Sequence, residues 1–401
     1  MDRLWTFSPL SWRIGGQTFI LPYVLVFGVS FLVVLLVTPL CRGLALSLGV
    51  VDLPGPRKIH ERPVAYLGGL AFYTAFLAAS VLTLYLFPSL LTDFWLPERR
   101  FLGQPFVGLA IGALLVVLVG IVDDVRGIRA RYKLLFHLFL GVLLYCHGSR
   151  IERFTFPFMQ DPLVLPVSLA VFATAFWVAA VINAVNLIDG MDGLAAGVSS
   201  ISALTLFALY YSADTFSFVC LGAMVLAGAT LAFLRYNFHP ASIFMGDTGS
   251  MLLGFLFAAI TIFNPGGGSY TVQRAPTLLS FFVPAVALAM AIIEVSTTFV
   301  RRVRSRQNLG KADREHIHHR LLHLGFTQRQ TVMLIYCVSL FFGICAYLLK
   351  SIEPRFRVFI ILLIALWSGL GIWMLTFLDR TRGGLHRKTP PEDPPSVSGS
   401  S

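Results

Sequence analysis

Four polar side chains at three-residue spacing interrupt an apolar run in the stretch NAVNLIDGMDGLAAG, residues 183–197. They are Asn183, Asn186, Asp189 and Asp192, and they are accompanied by Gly190, Gly193 and Gly197. On an ideal helix the two asparagines share a face, whereas the two aspartates drift away from it. The glycines let the chain leave the helix, so that all four groups can gather around one ligand. Ordinary turn capping by Asn, Asp and Gly is the alternative interpretation.

Two adjacent carboxylates, Asp123 and Asp124, end another apolar run in the stretch VDDVRG. A carboxylate at a helix C-terminus is disfavoured by about 0.3–1 kcal/mol, so a positive partner is expected nearby. Arg126 and Arg129 are candidates for a solvated salt bridge. The other interpretation is a catalytic site, because metal-dependent phosphoryl transfer uses such carboxylates as cation ligands or as a base.

The stretch IFMGDTGS places Asp247 at the start of a further apolar run. One interpretation is a helix N-cap, a position that aspartate favours. The flanking Gly246 and Gly249 also permit close approach of a ligand to the backbone, and a helix N-terminus attracts phosphate. A carboxylate would repel phosphate unless a divalent cation lay between them. This arrangement therefore predicts Mg²⁺.

Three histidines, His316, His318 and His319, form a cluster in a basic segment. Imidazoles at this spacing can ligate zinc, but the remaining histidines show no matching spacing. Donation of hydrogen bonds to a phosphate-bearing ligand is the interpretation we prefer. A solvated basic loop is the alternative.

The composition indicates a membrane protein, with 56% hydrophobic and 13% charged residues among 401. A soluble domain has about 45–50% apolar and about 25% charged residues. A span requires roughly 20 apolar residues, and without alternating barrel patterns such spans are helical. We therefore predict an all-α, polytopic transmembrane helical bundle of about eleven spans. The runs lie at about 18–41, 66–87, 105–122, 133–147, 163–182, 194–211, 216–234, 248–264, 278–300, 331–349 and 356–378.

The basic residues predict the orientation of the chain. With eleven spans, 21 of the 31 Lys and Arg residues fall in loops on one side, which the positive-inside rule makes cytoplasmic. Every polar motif falls on that side. We expect residues 1–380 to form the membrane domain and 381–401 a disordered cytoplasmic tail. A transporter is the competing class, but its ionisable groups would lie near the midplane, where only Glu294 is found.

Together, the stretches DD, NAVNLIDGMDGLA, FMGDTGS and HIHH resemble the polyprenyl-phosphate N-acetylhexosamine-1-phosphate transferases. The resemblance covers residues of about 20 to 350 in the same order. The stretch ADREHIHHRLLHLGFTQRQTV is similar to the branch that uses UDP-N-acetylglucosamine. The peptidoglycan branch, the phospho-N-acetylmuramoyl-pentapeptide transferases, typically carries an uninterrupted His-His-His. Here Ile317 interrupts that run.

The resemblance implies a Mg²⁺-dependent enzyme, with Mn²⁺ as a substitute, in the bacterial cytoplasmic membrane. It implies transfer of a HexNAc-1-phosphate, GlcNAc-1-phosphate in this branch, from a UDP-sugar to undecaprenyl phosphate, with release of UMP. A homodimer and the lipid bilayer are the expected further partners, and nucleic acid is not.

The resemblance also implies a role for each site residue. Asn186 and Asp247 would hold the metal. Asp123, Asp124, Asp189 and Asp192 would be catalytic, with Asp123 either deprotonating or orienting the lipid phosphate. The residues that would bind substrate are Lys58, His60, Lys133, Asn183, Phe244, His316, His318 and His319.

Overall fold

The chain is described here by a computed structural model. The structure describes residues 13–14, 17–18, 20–54, 63–86, 104–154, 163–211, 218–262, 320–322, 324–353 and 356–370. This part of the chain is predominantly helical, which confirms the predicted all-α fold class.

The helices are labelled in chain order. They are α1 (Leu21–Leu48), α2 (Gly69–Leu86), α3 (Pro105–Arg126), α4 (Ala130–Cys146), α5 (Val167–Ile188), α6 (Leu194–Tyr211), α7 (Phe218–Asn237), α8 (Gly246–Ile262), α9 (Gln328–Ser351) and α10 (Phe356–Leu370). Strands of two residues form three antiparallel pairs. The pairs are β1 (Arg13–Ile14) with β2 (Gln17–Thr18), β3 (Val51–Asp52) with β4 (Val64–Ala65), and β5 (Arg153–Phe154) with β6 (Leu163–Val164).

Seven of these helices, α1, α2, α3, α5, α6, α7 and α9, are long and apolar enough to cross a membrane. The shorter apolar helices α8 and α10, together with α4, coincide with three more of the predicted runs. The protein is therefore a multi-pass membrane protein. The predicted span at 278–300 and the predicted tail at 381–401 lie outside the described residues.

Helix α8 lies at the centre of the bundle, and all its residues except Asp247 are buried. Backbone packs directly against backbone where it crosses α3 and α5. A methyl group at Gly120 of α3 would lie 2.4 Å from Thr248 Cα, and one at Gly254 would lie 2.6 Å from Ile182 Cα. Only glycine allows such close packing. These contacts fix the N-terminus of α8 relative to the polar ends of α3 and α5.

The break predicted between the sixth and seventh spans separates two helices. Ser200, near the start of α6, donates a hydrogen bond of 2.8 Å to Thr230, near the end of α7. The amide of Gly193, just before α6, bonds to Asn237, the last residue of α7. The two helices are therefore antiparallel neighbours.

Helix α5 extends beyond the predicted apolar run, which ends near residue 182. Helix α5 continues to Ile188, so that Asn183 and Asn186 lie on its last two turns. Their amides have partners within the protein, and Asn183 Nδ2 donates to Ala179 O at 2.6 Å. A helix can carry polar side chains at this depth when other helices satisfy them. Hydropathy alone does not register those partners.

Candidate active site

Lys133 lies between two carboxylates where α3, α4 and α8 meet. Its Nζ atom forms an ion pair with Asp123 Oδ2 and lies 3.0 Å from Asp247 Oδ2. Asp123 is buried, and its Oδ1 also accepts a 2.6 Å hydrogen bond from the Ile128 amide. Without the ammonium, two partly desolvated carboxylates would repel each other. One positive charge therefore joins the ends of three helices.

Asn186 connects the last turn of α5 to the ion pairs of Lys133 with Asp123 and Asp247. Its Nδ2 donates to Asp247 Oδ1 and, at 2.9 Å, to Ser250 Oγ. Ser250 follows Asp247 by three residues on α8, so both lie on one face of the first turn of that helix, and Asn186 bonds to both. Four helices thus contribute side chains to one half-buried polar cluster.

Asp124 turns its carboxylate onto the N-terminus of α8. Its Oδ1 accepts from the Asp247 amide at 2.7 Å, and its Oδ2 accepts from Thr248 Oγ1 at 2.6 Å and from the Thr248 amide at 3.2 Å. The first N–H groups of a helix lack partners and carry partial positive charge. Gly246, with φ of +70°, makes room, because a Cβ there would lie 2.6 Å from Asp124 Oδ2. Asp124 therefore provides the cap that the sequence offered as an alternative role for Asp247.

Asp189 follows α5 directly and is half-buried. Burial, followed by the negative charges of Asp247 and Asp124, raises the pKa of Asp189 well above its ordinary value. A carboxyl group that is crowded by like charges favours the binding of a cation or a proton.

The turn that holds Asp189 is anchored at its far end. Gly193 has φ of +77°, a conformation that suits glycine. Its carbonyl accepts a 2.5 Å hydrogen bond from the Tyr336 hydroxyl of α9, and its amide donates to Asn237 Oδ1 at 3.1 Å. The predicted exit of the chain from the helix therefore occurs, and neighbouring helices fix the turn that follows.

Asp192 lies in this turn but binds a different segment. Its Oδ2 accepts from His239 Nδ1 at 2.8 Å and from the Ala241 amide at 3.1 Å. The carboxylate therefore ties the turn after α5 to the loop between α7 and α8.

Phe244 is half-buried and is held by its main chain. Its amide donates to Ala65 O at 2.8 Å, and its carbonyl accepts from the Gly68 amide at 3.1 Å. The ring lies 6.1 Å, between centroids, from the ring of Tyr66. Burial and the nearby Asp52 raise the pKa of Tyr66, which keeps its hydroxyl protonated.

Of the predicted site residues, the structure joins Asp123, Lys133, Asn186 and Asp247 by side-chain contacts. Asp124 bonds instead to the N-terminus of α8. Asn183 faces inward, toward His137. Five predicted site residues lie outside the described part of the chain, as does Glu294; they are Lys58, His60, His316, His318 and His319.

The comparisons with known proteins identify the family of this chain. The model of glycosyl transferase family 4 matches residues 106–264, which hold the polar cluster. A Bacillus subtilis protein named "Probable undecaprenyl-phosphate N-acetylglucosaminyl 1-phosphate transferase" is 33% identical over 344 residues, covering 86% of this chain and 89% of the relative. The chain belongs to this family.

Two further relatives extend the comparison. A decaprenyl-phosphate N-acetylglucosaminephosphotransferase of Mycolicibacterium smegmatis is 33% identical over 324 residues, 76% of each chain. An undecaprenyl-phosphate alpha-N-acetylglucosaminyl 1-phosphate transferase of Escherichia coli K12 is 27% identical over 300 residues, 73% of this chain and 75% of the relative. Membership of the family predicted from the motifs is thus confirmed.

The polar cluster of this family 4 member has donors that suit a hard cation. Among the described residues, no three histidine, cysteine, aspartate or glutamate side chains are gathered so as to hold a metal by themselves. Mg²⁺ does not require such a cage, because it usually retains waters and takes one or two carboxylates beside substrate phosphates. Asp247 and the partly exposed Asp189 offer carboxylates, and the negative charge around Asp189 favours a cation. The donor set therefore fits Mg²⁺.

Several residues of the cluster were missed by sequence reasoning. Thr248 and Ser250 are small polar residues in a helix start, a position where they commonly serve as caps. His137 lacks metal-ligand spacing, so the histidine pattern predicts no role for it. The usable signal was its position four residues after Lys133, which places both on one face of α4.

Proposed function

We propose that this family 4 protein transfers a HexNAc-1-phosphate, GlcNAc-1-phosphate in the first instance, from a UDP-sugar to undecaprenyl phosphate. An oxygen of the lipid phosphate attacks the sugar-bound phosphorus of the donor. The bond from that phosphorus to the bridging oxygen breaks, and UMP leaves. The names of the relatives, which specify a polyprenyl-phosphate acceptor and an N-acetylglucosaminyl phosphate group, support this choice.

The observation that carries the proposal is the contact of Lys133 with both Asp123 and Asp247. These two carboxylates end or begin apolar helices, so the group lies where a lipid phosphate and a water-soluble nucleotide can both reach it. Lys133 would stabilise negative charge on the transferring phosphates. Asp123 would orient the lipid phosphate and take its proton, because its carboxylate lies beside the ammonium that would hold that phosphate.

Mg²⁺ is part of the proposal. Asp247 and Asp189 would hold the cation, with Asn186 beside them, and Mn²⁺ is the expected substitute. When bound, the cation would neutralise charge on the pyrophosphate of the donor. Asn186 would orient Asp247 through the hydrogen bond that the two residues already share.

The predicted orientation places the cluster on the cytoplasmic face of the bacterial inner membrane, where UDP-sugars are available. Cysteine labelling in intact cells and in inverted vesicles tests it. A cysteine at Ser305 should react only from the cytoplasm, and one at Ser269 only from outside. Reaction of both from the same side would contradict the orientation. Cross-linking in the membrane tests the predicted homodimer, which should give a product of twice the mass of the chain.

The function is tested with purified protein, undecaprenyl phosphate and radiolabelled UDP-GlcNAc. We expect label in an organic-extractable lipid, release of UMP, exchange of labelled UMP into UDP-GlcNAc, and loss of all three with EDTA. A panel of UDP-GalNAc, UDP-FucNAc, UDP-QuiNAc and UDP-MurNAc-pentapeptide ranks the donors. A preference for the pentapeptide would assign the peptidoglycan branch. Absence of exchange with every donor would favour the transporter class.

Phe244 tests the donor side separately. Stacking of a base on an aromatic ring contributes about 1–3 kcal/mol, so Phe244→Ala should raise the KM for the UDP-sugar roughly 5- to 150-fold. The KM for undecaprenyl phosphate should barely change, and Phe244→Trp should retain donor affinity. Equal losses for both substrates would indicate that the ring only packs.

A further inference from the structure

His137 is a buried polar residue that the proposed reaction does not use. Its side chain is 2% exposed and lies in α4, one turn beyond Lys133. Its Nδ1 is 3.1 Å from Asn183 Nδ2 of α5, and its Nε2 is 3.3 Å from Met251 Sδ of α8. The imidazole therefore contacts two other helices at once.

The same three helices contribute to two polar layers, one helical turn apart. The outer layer contains Asp247 and lies at the helix ends, and the inner layer contains the imidazole of His137 and lies one turn further into the bundle. From outer to inner layer the step is four residues on α4, three on α5 and four on α8, so corresponding members share a helix face. The members are Lys133, Asn186 and Asp247 in the outer layer, and His137, Asn183 and Met251 in the inner layer.

The hydrogen bonds fix the state of the imidazole. Asn183 Nδ2 donates to Ala179 O, and a carbonyl oxygen can only accept, so the amide orientation is set by the backbone. The same amide group faces His137 Nδ1, which must therefore be the unprotonated, accepting nitrogen. The ring is then neutral, with its proton on Nε2 directed at the sulfur of Met251. A second positive charge one turn below Lys133 is thereby avoided.

The inner layer restricts the rotation of α4. Further along α4, Gly141 packs against Ala175 of α5, and a Cβ at the glycine would lie 2.4 Å from Ala175 Cα. This close contact sets the distance between the two helices but leaves rotation about the axis of α4 to other groups. The hydrogen bond of His137 to Asn183 is a further contact between these helices, one turn away on the same face of α4.

We propose that His137 is a positioning residue, which holds Lys133 between Asp123 and Asp247 by fixing the rotation of α4 against α5 and α8. This inference rests on the proposed function for its kinetic consequence, but its structural consequence stands apart from it. Because reaction geometry is sensitive to displacements of about 1 Å, the role predicts an effect on kcat rather than on substrate affinity.

The kinetic experiment compares His137→Leu with His137→Gln in the full-length protein. Leucine keeps the apolar volume but cannot accept from Asn183, and we expect kcat to fall about 10- to 100-fold with little change in either KM. Glutamine can accept and donate, and it should restore most of the rate. His147→Leu is the matched control, since that ring bonds only to its own helix, at Leu143 O, in the described structure.

Asn183 provides a second arm. If it acts through His137, then Asn183→Ala should lower kcat as His137→Leu does, and the double variant should be no worse than either single variant. A raised KM for Asn183→Ala, with effects that add to those of His137→Leu, would instead support the predicted substrate-binding role of Asn183 and contradict the positioning role.

Lys133 reports the geometry without catalysis. Partial acetylation with an amine-reactive ester, quantified by mass spectrometry against the Lys388 peptide, measures how well the ion pairs protect the ammonium. Protection should be lost in His137→Leu and retained in His137→Gln, even if the purified wild type proves inactive as a GlcNAc-1-phosphate transferase. That result would refute the proposed function alone.

The proposal is overturned if His137→Leu keeps the wild-type kcat or the wild-type protection of Lys133. It is also overturned if leucine and glutamine variants lose folding equally, as judged by their melting curves in detergent, because His137 would then serve stability only.

Discussion

The cluster around Lys133 and the loop around Asp192 are neighbours, but their carboxylates have different partners. In the cluster, Asp123 and Asp247 face a lysine side chain, and Asp247 also faces the amide of Asn186. Asp192 accepts from a backbone amide and a histidine. In its partners, Asp124 resembles Asp192 rather than Asp123, because it accepts hydrogen bonds from two backbone amides and a hydroxyl and forms no ion pair with a lysine among the described residues.

This difference separates groups that can act on a ligand from groups that hold the fold. A side-chain ammonium can move to a phosphate and leave its carboxylate free for another partner. A backbone amide at a helix start cannot move without loss of the helix end. Adjacent residues such as Asp123 and Asp124 therefore need not share a role, and four substitutions test this distinction.

Asp247→Asn should have the largest effect, a loss of kcat of about 10³-fold or more, comparable to removal of a central charge-stabilising group. Asparagine keeps the shape but removes the charge that pairs with Lys133 and would hold the cation. The melting temperature in detergent should change little, since Asp124 and not Asp247 caps α8. Near-normal transfer at saturating Mg²⁺ would show that Asp247 is not the metal ligand.

Asp123→Asn should lower kcat by about 10²-fold, the effect of a lost base or orienting charge. The Ile128 amide can still bond to the asparagine oxygen, so the turn after α3 should persist and the melting temperature should be close to that of the wild type. Transfer kinetics and thermal unfolding are measured on the same preparation. A higher KM for undecaprenyl phosphate with an unchanged kcat would argue for simple binding.

Much of the fold could be predicted because the bilayer restricts what apolar runs can do. Runs of about 20 apolar residues in such a chain form helices, and ten of the predicted runs coincide with described helices. Helix ends were harder to predict. Helix α5 extends past its apolar run because Asn183 and Asn186 find partners on α4 and α8, and hydropathy does not include contacts between helices.

The candidate site was predictable in its residue types but not in its pairings. The motifs identified Asp123 and Asp247, and the family resemblance added Lys133, which contacts both aspartates although it lies 114 residues from Asp247 in the chain. Nothing in the doublet Asp123–Asp124 indicates which carboxylate faces the lysine. That distinction arises from the crossing of α3 and α8 at Gly120 and Thr248.

Asp124→Asn should combine a moderate loss of activity with a loss of stability. A single amide oxygen cannot satisfy three donors, and an unsatisfied buried donor costs about 1–3 kcal/mol. We expect a lower melting temperature and a fall in kcat of about tenfold, because the displaced helix end carries Asp247. Thr248→Val, which removes only the hydroxyl donor, is the matched control and should lower the melting temperature less. A large loss of kcat with wild-type stability would instead support a catalytic Asp124.

Asp192→Asn should have the smallest effect on turnover. The asparagine oxygen can accept from the Ala241 amide or from His239, but it loses the charge-assisted bond, so stability should fall by about 1–2 kcal/mol. Since Asn237 and Tyr336 still hold Gly193, the turn should remain, and kcat should change less than about fivefold. His239→Leu is the matched control, because leucine cannot donate to Asp192 and therefore removes the same bond from the other side, and it should give a similar shift in melting temperature. The catalytic role predicted for Asp192 from the motif gives the opposite pattern, a loss of about 10²-fold in kcat with little change in stability. Transfer kinetics and melting curves on the two variants decide between these roles, because only a structural bond makes the two substitutions equivalent.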